Sequence, residues 1–198
     1  MAYAQKLPAH VSPEDYLLLE ERATAKHEYL DGVIYDWQGG GPSAMAGGGK
    51  NHNLVSLNVY RSIWNQLRGR PCKVFVADVK VVTTDRCAFF YPDVLVTCSE
   101  SDHASPLVVG EPTLIVEVLS PSTELFDRRE KFSTYQRFPS LESYVLVSPE
   151  QRTIEVFTRV EGWRRTAQTE AVRLMHDEVI TLGSHDLRLD ATDAFADL

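Results

Sequence analysis

The sequence predicts an α/β sandwich built on a mixed sheet. Three apolar, β-rich runs, "CKVFVADVKVVTTD", "CAFFYPDVLVTC" and "TLIVEVL", succeed one another after a long amphipathic segment. A second helical pattern and a hairpin pattern follow them, and helices interleaved with strands in this way cover a sheet on its faces. With 198 residues, 43% hydrophobic and 24% charged, the chain is long enough for one packed core, so residues 1–198 are expected to form a single domain.

Each element has a local cause. In "SPEDYLLLEERA", Ser12 is the candidate N-cap, Pro13 the first helical residue, and the acids of the first turn complement the helix dipole. "HEYLDGVIYDW" alternates around Asp31-Gly32, the dipeptide of a tight hairpin turn. The connector "QGGGPSAMAGGGKNH" is too rich in glycine for a helix or a strand interior. It is no phosphate loop, because Ala44 and Asn51 stand where that motif needs Gly and Ser or Thr. From His52, Leu54, Val55, Val59, Ile63 and Leu67 recur at helical spacing, and Gly69 and Pro71 end the pattern. "SESDHASPLVVGEP" is a polar excursion before "TLIVEVL". "STELFDRREKFSTYQRF" reads as a helix capped by Ser122 or Thr123, and "ESYVLVSP" with "TIEVFTR" as a hairpin turning at "PEQR". From Trp163 to Leu198 the strand signals are short.

Composition narrows the function. No segment has the apolar length of a membrane span and the N-terminus lacks a signal-peptide pattern, so a soluble, cytoplasmic protein is expected. Cys72, Cys87 and Cys98 lack CxxC spacing and lie in or beside apolar runs, and they are expected as reduced core thiols. The formal net charge of −8 weighs against sequence-independent binding to nucleic acid, which needs a basic surface. "FDRREKF" and "WRRT" are local basic clusters within that acidic whole.

The chemistry centres on two acids in apolar company. Asp93 opens the run "DVLV", and Glu117 interrupts "LIVEVL". A buried lone carboxylate is costly unless it is paired, protonated or bound to a cation. Carboxylates projecting from adjacent strand ends can hold one Mg²⁺, with sites left for water and a phosphate oxygen. The plainer alternative makes Asp93 a strand opener and Glu117 half of an ion pair.

The motifs "YPDVLV", "LIVEVLSPST", "DRREKFSTYQ" and "LESYVLVS", preceded by "HEYLDG" and the glycine-rich turn before His52, resemble those of the Uma-type predicted restriction endonucleases, a branch of the PD-(D/E)XK nuclease superfamily. The resemblance runs from about Val11 to Trp163. It implies a restriction-endonuclease-like core, a mixed β-sheet flanked by helices with additional hairpins. It also implies that Asp93 and Glu117 are metal ligands, with Glu28 of "HEYLDG" as a further acid completing the shell. The superfamily's usual catalytic lysine falls two residues after Glu117, where this chain has Leu119.

Two lysines are candidates for the missing cation. Lys131 lies on the following helix, where this family typically shows a lysine, although Asp127 one turn earlier offers it an ordinary ion pair. Lys80 shares strand parity with Asp78 and could point beside Asp93. His52 could donate to phosphate, act as a base, or simply pack at the helix start. Tyr135, one turn after Lys131, could bond a phosphate, but completing the core is its first reading.

The resulting expectation is a Mg²⁺-dependent endonuclease hydrolysing phosphodiester bonds in DNA, with Mn²⁺ as a substitute metal. The rivals are a catalytically silent protein of the same fold that binds nucleic acid or a protein partner, and a structural homo-oligomer joined through exposed hairpin strands.

Overall fold

A computed structural model describes residues 10–36, 49–170 and 179–198. Residues 38–48, most of the glycine-rich connector, lie outside them. Ser12 accepts a hydrogen bond from the Asp15 amide at 3.1 Å and opens α1 (Pro13–Arg22), as the cap pattern predicts. Asp31 (φ 47°) and Gly32 (φ 85°) take the paired left-handed conformations of a two-residue turn. They join β1 (His27–Leu30) to β2 (Val33–Asp36). Helix α2 (Lys50–Leu67) buries Val55, Val59, Ile63 and Leu67 along one stripe.

Two of the three apolar runs depart from expectation, because each breaks into two strands. The first yields β3 (Lys73–Val76) and β4 (Lys80–Val82), the second β5 (Ala88–Phe90) and β6 (Val94–Thr97). Ala77 (φ 45°) and Asp78 (φ 60°) make the first break, left-handed backbone that a regular strand does not contain. Pro92, which has no N–H for a ladder, sits in the second. The polar excursion forms α3 (Glu100–Ala104) and β7 (Val108–Val109), and β8 (Pro112–Val118) follows as predicted.

The predicted helix spans residues 124–135 but is not uniform. It runs as α4 (Glu124–Phe126), a π-helical turn (Asp127–Lys131) and α5 (Phe132–Tyr135). The Tyr144 hydroxyl donates to the Asp127 carbonyl at 2.9 Å. Then come the predicted hairpin β9 (Ser143–Ser148) and β10 (Thr153–Thr158), with β11 (Arg165–Glu170), β12 (Val179–Thr181), β13 (Arg188–Asp190) and α6 (Ala191–Ala194).

The strands form two main sheets, ordered β2-β1-β5-β4-β7 and β11-β10-β9-β8-β6-β3, with β12-β13 as a separate pair. β8–β9 and β4–β7 pair in parallel and the other ladders are antiparallel, so both main sheets are mixed. Strand alternation sorts the core. Val94, Val96, Leu114, Val116 and Val118 pack with α2, β12, β13 and α6 on one face of the six-stranded sheet. Leu95, Ile115 and Leu119 pack on its other face with Val81 and Phe90 of the five-stranded sheet and Tyr135. Among the described residues no helix is long and apolar enough to cross a membrane.

The cysteine expectation is corrected. Cys72 precedes β3 and Cys98 follows β6, and the register Lys73↔Thr97 sets them opposite one another. Their Cα atoms are 4.0 Å apart and they form a disulfide, while Cys87 is free. Neighbouring apolar residues gave no sign of that cross-strand pairing.

Candidate metal and catalytic site

Register brings the two predicted acids together. Because Val94 pairs with Val116, Asp93 at the mouth of β6 falls opposite Glu117 of β8. Both share parity with Leu95 and Ile115, whose face is the one packed toward the five-stranded sheet. The Val118 amide donates to Asp93 Oδ2 at 2.7 Å, fixing the carboxylate at the end of the sheet.

Lys131 joins the acids. From the π-helical turn its Nζ reaches Glu28 Oε1 at 2.9 Å, Glu117 Oε1 at 3.2 Å and Asp127 Oδ1 at 3.3 Å. The Tyr135 hydroxyl donates to Glu117 Oε1 at 2.7 Å, and the Tyr91 amide donates to Glu28 Oε1 at 3.0 Å. Glu28, Glu117, Asp127 and Lys131 are all buried, whereas the side chains of Asp93 and His52 keep 14% and 18% exposure and form the open edge.

The electrostatics follow from one buried ammonium among several carboxylates. Burial pushes the Glu117 carboxyl well above its usual range; Lys131 pulls it back, and Asp127, Asp93 and Glu28 push it further up. For Lys131, burial favours the neutral amine, but Glu117, Glu28 and Asp127 outweigh it and hold the ammonium well above its ordinary pKa. Burial, then Glu117, raises the Tyr135 phenol, so it stays a donor. Burial would lower the His52 imidazole, yet Asp93, 3.4 Å from its Nε2, raises it on balance.

The donor set fits a hard divalent cation by its chemistry. It offers carboxylate oxygens alone, and more negative charge than the one ammonium at their centre balances. The carboxylates surround the ammonium and do not meet at a point. Among the described residues, the group of three His, Cys, Asp or Glu donors within 4.8 Å of one another is Cys72, Cys98 and His185.

Residues 13–190 match the family model Uma2, described as "Putative restriction endonuclease". The chain belongs to the Uma2 family. Two Synechocystis sp. (strain ATCC 27184 / PCC 6803 / Kazusa) proteins are similar to it. The protein slr1290 is 42% identical over 147 residues, 74% of this chain and 73% of that one. The protein sll1609 is 34% identical over 158 residues, 79% and 84% of the two chains. An Anabaena variabilis ATCC 29413 crystal structure described as "a putative nuclease belonging to DUF820" superposes with a TM-score of 0.71, covering 94% of this chain and 98% of that one. At 14% identity that likeness shows the fold, a mixed α/β architecture.

In this Uma2 protein the structure gathers Asp93, Glu117, Glu28, Lys131 and Tyr135, with His52 at the edge. Lys80 is placed on the five-stranded sheet. The expectation that it lies on a strand beside Asp93 assumed an unbroken run, but the break at Ala77-Asp78 moves β4 into the other sheet, between β5 and β7. Its ammonium stands 5.7 Å from the ring centroids of both Tyr16 and Tyr91. Tyr135 is wholly buried, and its hydroxyl bonds Glu117. The sequence reading missed Asp127 as a site acid, treating it only as the partner of Lys131. Its helical spacing from Lys131 was the available signal, and both readings hold, since Lys131 pairs with it and with two other acids. The basic clusters are partly neutralised, because Arg128 and Arg165 converge on Glu155 at 2.7 Å and 3.2 Å.

Proposed function

We propose that this Uma2 protein is a divalent-metal-dependent endonuclease that hydrolyses phosphodiester bonds in DNA. The observation that carries the reading is the convergence of Glu28, Asp93, Glu117 and Lys131 from four separate segments on one end of the inter-sheet core. Asp93 and Glu117, with Glu28 behind them, would hold Mg²⁺, or Mn²⁺ in its place. The bound cation would polarise the phosphate and lower the pKa of the attacking water.

The chain's own groups have distinct tasks in this proposal. Lys131 supplies the positive charge that offsets the phosphate as the water oxygen bonds to phosphorus and the ester oxygen departs. Tyr135 holds Glu117 by its hydroxyl and so positions a ligand without touching substrate. His52, on the exposed side of Asp93, is placed to take the water's proton or to donate to a phosphate oxygen.

A second reading is favoured by one observation. Lys131 and Glu117 are only 5% and 2% exposed, so the ammonium already fills the space among the acids, as it would in a silent nuclease fold that binds nucleic acid or protein. Labelled duplex and single-stranded DNA incubated with the purified chain and Mg²⁺ or Mn²⁺, with Asp93→Ala alongside, separates the two. Metal-dependent cleavage present in the parent and absent from the variant is the expected result. Binding with no cleavage across a broad substrate panel would move the protein to the silent class.

A further inference from the structure

A second donor cluster lies at the far end of the sheet. Asp93 opens β6 and Cys98 follows its other end, about 16 Å away for five residues of strand. There Cys72, Cys98 and His185 bring their ligand atoms within 4.8 Å of one another. The His185 Nε2 stands 3.1 Å from Cys98 Sγ.

The fold builds this cluster from three sources. β3 and β6 set the two cysteines opposite each other through the register Lys73↔Thr97. The turn between β12 and β13 brings the histidine, with His185 (φ 50°) and Asp186 (φ 56°) both in the left-handed region. That turn is pinned by the Leu182 amide donating to the Leu187 carbonyl and the Leu187 amide to the Ser184 carbonyl, both leucines being fully buried. Arg70, between α2 and β3, donates to the His185 carbonyl at 3.0 Å, so the loop that delivers Cys72 also holds the histidine's backbone.

We propose that Cys72, Cys98 and His185 form a thiolate–imidazole site for a Zn²⁺-class metal ion, available when the disulfide is reduced and closed when it forms. Two thiolates and an imidazole are the donors that borderline-soft divalent ions select, and three protein ligands leave a fourth position for solvent. The carboxylate cluster offers oxygens alone, so the two sites select different metals. The redox step balances with a dithiol reductant: it gives two electrons and two protons to the S–S bond, becomes a disulfide itself, and leaves two cysteine thiols. Metal binding then releases the thiol protons to the buffer.

The test uses the full chain carrying Cys87→Ser, so that the remaining thiol cannot contribute. After reduction with a phosphine and a thiol assay showing two free sulfhydryls, Cd²⁺ is titrated in excess Mg²⁺ and the ultraviolet thiolate-to-metal charge-transfer band is followed. The expected result is saturation at one equivalent in the reduced chain and no band in the oxidised chain. Cys98→Ser should lose the band, and His185→Gln should weaken binding at least tenfold against a competing chelator. The histidine variant leaves both sulfurs in place and decides the matter even where a cysteine variant does not fold. Equal affinity in parent and His185→Gln would overturn the three-ligand site. So would a reduced chain that has lost its far-ultraviolet circular dichroism, or a band that never saturates at one equivalent.

Discussion

Lys131 brings its ammonium to 3.2 Å from the Glu117 carboxylate although the two residues leave different layers of the fold. Two residues beyond Glu117, Leu119 is buried in the inter-sheet core with Phe90 and Tyr135 neighbours. A lysine at that point would displace apolar packing worth about 1.5–3 kcal/mol for such a side chain. The π-helical turn carries the cation to the same acid from the other side, and wide turns of this kind are often found at functional sites.

Lys131→Met tests that substitution of position. DNA cleavage is expected to fall by about 100-fold or more, the scale on which a transition-state charge partner acts. Metal-induced thermal stabilisation is expected to grow, because the variant removes the cation that competes for Glu28, Glu117 and Asp127. Lys80→Met, in the other sheet, should retain cleavage. A Lys131→Met chain that cleaves like the parent, or loss confined to Lys80→Met, would take the role away from Lys131.

Asp93→Ala removes the more open acid. In the parent, Mg²⁺ or Mn²⁺ at about 100 times its Kd should stabilise the fold by about 2.7 kcal/mol. Differential scanning fluorimetry across a metal series should show that gain vanish in the variant. An unchanged response would exclude Asp93 as a principal ligand.

Glu117→Gln keeps the volume and removes the charge. The Tyr135 hydroxyl can still donate to the amide oxygen, so the metal-free melting temperature is expected to equal or exceed that of the parent, relieved of an acid whose ionisation burial opposes. Metal stabilisation should disappear. Metal affinity matching the parent's would leave Glu117 as an ion-pair residue and nothing more.

The sequence made the site legible where chemistry and period agreed. Asp93 and Glu117 stood out because acids are costly in apolar strands, and the Asp31-Gly32 turn and the Ser12 cap depend on a few adjacent residues. The breaks at Ala77-Asp78 and Tyr91-Asp93 were not legible, because each strand fragment is apolar on both faces and reads as a continuation of its neighbour. That one misreading displaced Lys80 and hid the second sheet. The Cys72–Cys98 pairing and the arrival of His185 depend on strand register across 26 and more residues, which local pattern does not encode.

Glu155 tests the electrostatics away from the proposed metal. Burial would raise its pKa, but the guanidinium of Arg128, followed by that of Arg165, more than reverses this and holds the carboxyl below its ordinary value. An acid whose folded pKa is depressed stabilises the fold above its unfolded pKa, and that stability is lost as pH falls through the folded value. Arg165 is half exposed, so its share is screened by solvent and most of the effect belongs to Arg128. Glu155→Gln is therefore expected to cost about 1–2 kcal/mol near neutral pH. The difference should begin to shrink as pH falls through the ordinary carboxylate range and be gone once the folded carboxylate protonates below it. Urea unfolding of parent and variant across that range measures it. A deficit that stays constant from neutral to acidic pH would mean that Glu155 acts by shape and neutral hydrogen bonding, with its charge contributing nothing to the fold.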